Sequence, residues 1–292
     1  MKRIAPPALT RVASAILLAE LAALACPAPA LAEQWAHTRE QAALREKVQN
    51  IVVIYAENRS FDSLFGNFPN ANGLSRVVDK KGKVTKAYVP QVDRDGSALS
   101  TLPATWGGVT AGGVTPAVTQ AQSAGLANMP FSIETAFQAS ANATLSMSTV
   151  TRDMYHRFFE NQMQINGGKN DKFVAWGDSG GLVMGTFDTS SSALYKLARR
   201  YVLADNFFQG AFGGSFLNHQ YLISATAPFY PDVMNSVART QVAKTRNNDP
   251  LSPELMPAEG SPTSALQGPP KFGPSALTPD GWQQDVTVSL DA

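Results

Sequence analysis

Three short stretches of this 292-residue chain carry side chains whose types and spacing suit chemistry. The first is Glu57-Asn58, directly after the apolar run Ile51-Val52-Val53-Ile54-Tyr55 and Ala56. A carboxylate beside a carboxamide offers two hard oxygen donors of the kind divalent cations take. In open α/β sheets, ligands collect at the carboxyl ends of strands, where this pair would fall. The same pair also suits a plain turn with a solvated carboxylate. The second stretch is Gly213-Gly214-Ser215, running into Leu217, Tyr221 and Ala225 at helical spacing. A serine at a helix N-terminus meets free backbone N–H groups and the positive end of the macrodipole, which together hold anions and favour an alkoxide. An ordinary serine N-cap has the same pattern. Asn218 and His219 follow three and four residues later, near the face of Ser215. Asn218 is a candidate substrate contact, and His219 suits a hydrogen bond to a carbonyl. The third stretch holds His156 and then Asn166-Gly167-Gly168-Lys169-Asn170-Asp171-Lys172, with His156 the candidate for a phosphate contact or leaving-group acid.

The elements that must position these residues follow from hydrophobic patterning. A continuous β-branched run such as 51–55 suits a strand buried on both faces of a parallel sheet. Residues 38–49 read as a charged surface helix. Residues 152–165, 192–201 and 216–225 read as helices, with Leu194, Leu197 and Ala198 on one face of the second. Phe173-Val174-Ala175-Trp176 and Tyr201–Phe208 read as strands. Alternation of strands and helices predicts an α/β fold, mostly a parallel sheet flanked by helices. Residues 66–150, rich in Gly, Ser, Thr and Asn and broken by five prolines, read as long irregular loops, with a hairpin near Lys80–Lys83. From Pro228 onward lie ten of the 19 prolines and little periodicity, which predicts a disordered C-terminal tail.

Composition narrows the function. Charged residues make up 16% of the chain and the net charge is +1, which argues against a nucleic-acid binder. One cysteine and three histidines leave no cysteine-built metal site, so any metal would be a hard cation held by oxygen. Lys2, Arg3 and Arg11, an apolar stretch from Ala13 to Ala25, and Ala30-Leu31-Ala32 form a secretory signal pattern cut after Ala32. The apolar stretch is short for a membrane span. The expected location is periplasmic or secreted, with no stable membrane insertion after cleavage. Losing residues 1–32 moves the net charge from +1 to −1. The serine-hydrolase elbow is a weak match because Gly213-Gly214-Ser215-Phe216-Leu217 lacks its second glycine. A dinucleotide site is also a weak reading because no glycine triad joins a strand to a helix.

Taken together, Ile51-Val52-Val53-Ile54-Tyr55-Ala56-Glu57-Asn58-Arg59-Ser60-Phe61-Asp62 with Phe65-Gly66, then His156 through Phe173 with Met184-Gly185, then Gly213-Gly214-Ser215-Phe216-Leu217-Asn218-His219-Gln220, resemble the motifs of the bacterial phosphoesterase family. That family holds acid phosphatases and phospholipases C within the alkaline-phosphatase-like superfamily. The resemblance runs from about Asn50 to about Ala227. Serine at 215, where the phospholipase branch has a threonine-Asn-Pro-Asn pattern, tilts it towards acid phosphatase.

The resemblance implies a phosphoric ester hydrolase whose substrate is a small phosphate ester. Glu57 and Asn58 would line a site for a divalent metal cation and phosphate, and Ser215 would become a phosphoserine. His156 would touch the phosphate or leaving oxygen. It also implies further ligands, an aspartate pair and later histidines, that this chain lacks: no histidine follows His219, and no two acids after it are adjacent. The expected organisation is therefore a signal peptide (1–32), the N-terminal part of a phosphoesterase domain (33–227), and a Pro-rich remnant (228–292) of a domain shortened at its C-terminus. A phospholipase C and a non-catalytic remnant are the alternative readings.

Overall fold

The structure is a computed structural model that describes residues 39–141, 145–153, 158–210, 214–225, 240–241, 243–245, 255–257, 259–271 and 273–274. The expected signal segment, 1–32, and His156 lie outside these residues. The chain divides into two units, Met1–Ala56 and Glu57–Ala292.

In the first unit a helix, α1, spans residues 39–47, matching the expectation for 38–49. Val48 N–H closes it on the Leu44 carbonyl at 2.8 Å. The run Ile51–Tyr55 is not the buried strand its composition predicts. It forms no strand, and Ile51, Val52, Val53 and Ile54 are 70–87% exposed. β-branched residues fit a pleated, half-buried surface, but a strand exists only where another chain segment completes its ladder. No described segment does so for this run.

The second unit begins with α2, Phe61–Phe65, capped by Ser60, whose Oγ accepts from Ser63 N–H at 3.2 Å. The hairpin expected near Lys80–Lys83 is present as an antiparallel bridge between Val78 and Val84. Asp79 Oδ1 accepts from the N–H groups of Lys81 and Lys83 at 2.8 and 2.9 Å and closes it. β1 (Phe131–Ser132) pairs in parallel with β2 (Gly185–Thr186), and α3 (Ile133–Ala141) leaves directly from β1. The fold is thus α/β with a small parallel pair and several helices. α4 (Phe158–Ile165) and α6 (Ala193–Arg200) lie where helices were expected.

Two further elements differ from expectation. Phe173–Trp176 is a helix, α5, rather than a strand. Its N-cap residue, Lys172, supplies no side-chain cap. Gln91 Oε1 instead accepts from Phe173 and Val174 N–H at 2.9 and 3.4 Å. A distant amide thus satisfies two of the donors that a helix start leaves open. Tyr201–Phe208 forms no strand, and Val202 is 91% exposed.

The core sits where loops were expected. Val109, Val118, Ile133, Phe137, Leu145, Leu182 and Phe187 form one buried cluster. Most of them belong to the glycine- and proline-rich stretch 66–150. The C-terminal region, expected as a disordered tail, contains ordered segments. Residues 259–271 pack against the unit: Ala265 is buried, and its N–H donates to Asp93 Oδ1 at 2.7 Å. Short antiparallel pairs also form there, β3 (Thr240–Gln241) with β6 (Gly273–Pro274) and β4 (Ala243–Thr245) with β5 (Leu255–Pro257).

Candidate functional site

Asn58 and Arg59 are tied to the same segment, residues 145–153. Asn58 Nδ2 donates to Asp153 Oδ2 at 3.1 Å, and Arg59 Nη2 donates to the Thr149 carbonyl at 2.7 Å. The Arg59 guanidinium lies 4.1 Å from the centroid of the buried Phe187 ring. Burial lowers its pKa, and the nearby Glu134 carboxylate partly offsets this. The segment itself is anchored to the core. Thr151 bridges Thr110, Arg152 N–H donates to the Val109 carbonyl at 2.8 Å, and the Arg152 guanidinium pairs with Asp178 at 3.3 Å. The residues that follow the Ile51–Tyr55 run are therefore set by a loop held on the core. Glu57 and Asn58 are both exposed.

Ser215 is the first residue of α7, Ser215–Ser224. Gly214 is the N-cap, with φ −79° and ψ 179°, and it has no side chain to cap the helix. The backbone N–H groups of the first turn have no acceptor within the helix. The serine is half-buried. His219 Nδ1 lies 2.7 Å from the Ser215 carbonyl oxygen. A carbonyl only accepts, so Nδ1 carries the proton, and the imidazole has the structural role expected for it. Asn218 is buried, and its Nδ2 donates to the Gly214 carbonyl at 3.2 Å. That bond ties the carboxamide to the cap of its own helix.

The described residues bring Asn58 together with Asp153 and Arg59, and Ser215 together with Asn218 and His219. No hydrogen bond among them joins Glu57 or Asn58 to Ser215. Sequence reasoning missed Asp153, Arg59 and Thr149. Arg59 stood inside the first motif without a role, and nothing in the local pattern around Asp153 marks it as the partner of a side chain 95 positions earlier. A cavity of about 240 Å³ lies beside Phe187, lined by Leu64, Phe68, Ser132, Asp188, Ser190 and Tyr195 among others. None of Glu57, Asn58 and Ser215 lines it.

Glu57, Asn58 and Asp153 carry the hard oxygen donors a divalent cation takes, so the donor chemistry fits such an ion in kind. Their number does not complete a coordination shell. Among the described residues, no three His, Cys, Asp or Glu side chains gather as a metal-holding group.

Fold and site define an α/β chain with a hydroxyl at a helix start and oxygen donors held by a core-anchored loop. The profile of the Phosphoesterase family matches residues 48–259, and the chain belongs to that family. No curated protein and no solved structure matches the chain. By family, its reaction is the hydrolysis of phosphoric esters.

Proposed function

We propose that the chain is an acid-phosphatase-like phosphomonoesterase with Ser215 as nucleophile, acting on a small phosphate ester in the periplasm or outside the cell. The observation that carries this reading is the position of Ser215 as the first residue of α7 behind a glycine cap. Ser215 Oγ gives its proton to solvent and attacks phosphorus, the bond from phosphorus to the leaving oxygen breaks with its electron pair going to that oxygen, and a phosphoserine forms. First-turn N–H groups and the helix dipole stabilise the equatorial oxygens as charge builds on them. His156, in the second motif, gives the proton to the leaving oxygen. Water then gives a proton back to His156 and attacks phosphorus, the bond to Ser215 Oγ breaks, Oγ takes a proton from solvent, and phosphate leaves. A divalent cation held by Glu57 and Asn58 would supply further charge neutralisation at the phosphoryl oxygens. Gly214 suits this site because a side chain there would crowd an anion approaching the backbone.

Ser215→Ala should abolish turnover of p-nitrophenyl phosphate and leave the circular-dichroism spectrum unchanged. Retained turnover would remove the mechanism. Comparing p-nitrophenyl phosphate with p-nitrophenylphosphorylcholine under one set of conditions separates a monoesterase from a phospholipase C. Turnover of neither supports a non-catalytic chain.

A further inference from the structure

The cavity beside Phe187 lies apart from the residues assigned to phosphate chemistry, and its walls are tied to one another without a ligand. Phe187 N–H donates to the Ser63 carbonyl at 2.9 Å, the Thr189 hydroxyl donates to that of Leu64, and β1 pairs with β2. The Phe68 and Tyr195 rings, 4.9 Å apart between centroids, give it an aromatic wall.

The polar lining is one-sided. A hydroxyl has one proton and two lone pairs. The Ser132 hydroxyl donates to Glu134 Oε2 at 3.0 Å, that of Thr186 to the Phe131 carbonyl at 3.2 Å, and that of Thr189 to the Leu64 carbonyl. The Ser190 N–H and hydroxyl both go to Asp188 and hold its carboxyl below the usual carboxylate range, so it is charged at neutral pH. These five groups therefore offer a ligand lone pairs and one negative charge. Donors in the lining side chains are confined to the Asn67 amide and the Tyr195 hydroxyl, and no lysine, arginine or histidine among the described residues lines the cavity. Arg59 lies over the Phe187 ring, but it is bonded to the Thr149 carbonyl and its charge is offset by that of Glu134.

We propose that this cavity binds a small primary organic ammonium ion, its NH3+ on the Asp188 carboxylate and the hydroxyl lone pairs, its apolar body against Phe68 and Tyr195. An ammonium group has three donors and no acceptor, the complement of this lining. A ring face adds attraction for the cation. An anion would meet a like charge and lone pairs. The volume, about 240 Å³, is below the about 300–1,000 Å³ of pockets for drug-sized ligands, so the occupant is a molecule of the size of benzylamine.

The test is calorimetric titration of the full chain at neutral pH with benzylammonium, benzyl alcohol, benzoate and benzyltrimethylammonium. Benzylammonium should bind about tenfold or more tightly than each of the others, since only it brings both charge and N–H donors. Asp188→Asn keeps an oxygen for the Ser190 N–H and should weaken benzylammonium by about tenfold, with the thermal midpoint unchanged. Phe68→Leu keeps apolar bulk without a ring and should weaken it about threefold. Equal binding of benzyl alcohol or of benzyltrimethylammonium would overturn the proposal, as would wild-type affinity in either variant or no benzylammonium binding by the wild-type chain. Turnover of phosphate esters plays no part in this readout, so the proposal and the Ser215 mechanism fail separately.

Discussion

At the residue scale, half-buried polar groups in irregular backbone carry much of the specificity of this unit. Asn128 is one centre. Its Oδ1 accepts from Gln91 N–H at 3.1 Å and from the Tyr88 hydroxyl at 3.3 Å, while its Nδ2 donates to the carbonyls of Gln91 and Leu99. Burial pushes the Tyr88 hydroxyl up to about 12, since an apolar surrounding disfavours the phenolate. The sign of the linkage follows. Above pH 10 an unfolded Tyr88 loses its proton while the folded one keeps it. Stability is then lost as pH rises from about 10 to about 12. Tyr88→Phe should flatten the fall in urea midpoint between pH 10 and 12 relative to wild type; identical slopes would mean that Tyr88 titrates normally. None of this was legible in the sequence, where Tyr88 and Asn128 are 40 positions apart in stretches without periodicity. Ser215 and His219 were legible, because their spacing lies within one helix and local rules fix it.

At the element scale, the helices expected from periodicity formed near their expected bounds, as α1, α6 and α7 illustrate. Ser192 Oγ accepts from Tyr195 N–H at 3.0 Å and starts α6, a cap that the sequence displays locally. The expected strands did not form, since each depends on a partner that no local pattern names. Phe173–Trp176 is instructive because its Phe, Val and Trp favour a strand, and the winning term comes from 82 positions away. Gln91 caps this helix with Oε1 and donates Nε2 to the Asn170 carbonyl at 2.9 Å. Gln91→Ala removes the acceptor of the half-buried Phe173 N–H and the buried Val174 N–H, and the donor to the Asn170 carbonyl. It should cost about 2–4 kcal/mol in denaturant unfolding. Gln91→Glu keeps an acceptor for the helix but sets a carboxylate oxygen against the Asn170 carbonyl, so it should not restore the loss. A cost under about 0.5 kcal/mol for Gln91→Ala would show that α5 is held by packing alone.

On the scale of the whole second unit, long irregular segments bind to each other through a few charged side chains rather than through a large sheet. The sequence reading placed the core in strands and the region after Pro228 in a tail. The pair Asp93-Arg94 explains why the stretch 259–271 packs instead. Asp93 takes the Ala265 N–H and the Ser264 hydroxyl. Arg94 donates through Nε to the Ala175 carbonyl at 3.0 Å, through Nη2 to that of Gly268 at 2.7 Å, and through Nη1 to that of Pro262. Its guanidinium also lies 5.6 Å from the centroid of the buried Trp176 ring. One planar fork thus joins α5 to two points of the C-terminal segment, a geometry that an ammonium cannot reproduce. Arg94→Lys leaves carbonyls buried without donors and should loosen residues 262–268 before the rest of the unit. The expected result in limited proteolysis is faster cleavage near Lys271, leaving a large fragment that ends there and resists further digestion. If cleavage near Lys271 proceeds at the wild-type rate in Arg94→Lys, apolar contact of Ala265 with Trp176 and Met163 is what holds the segment, and the charged pair only decorates it.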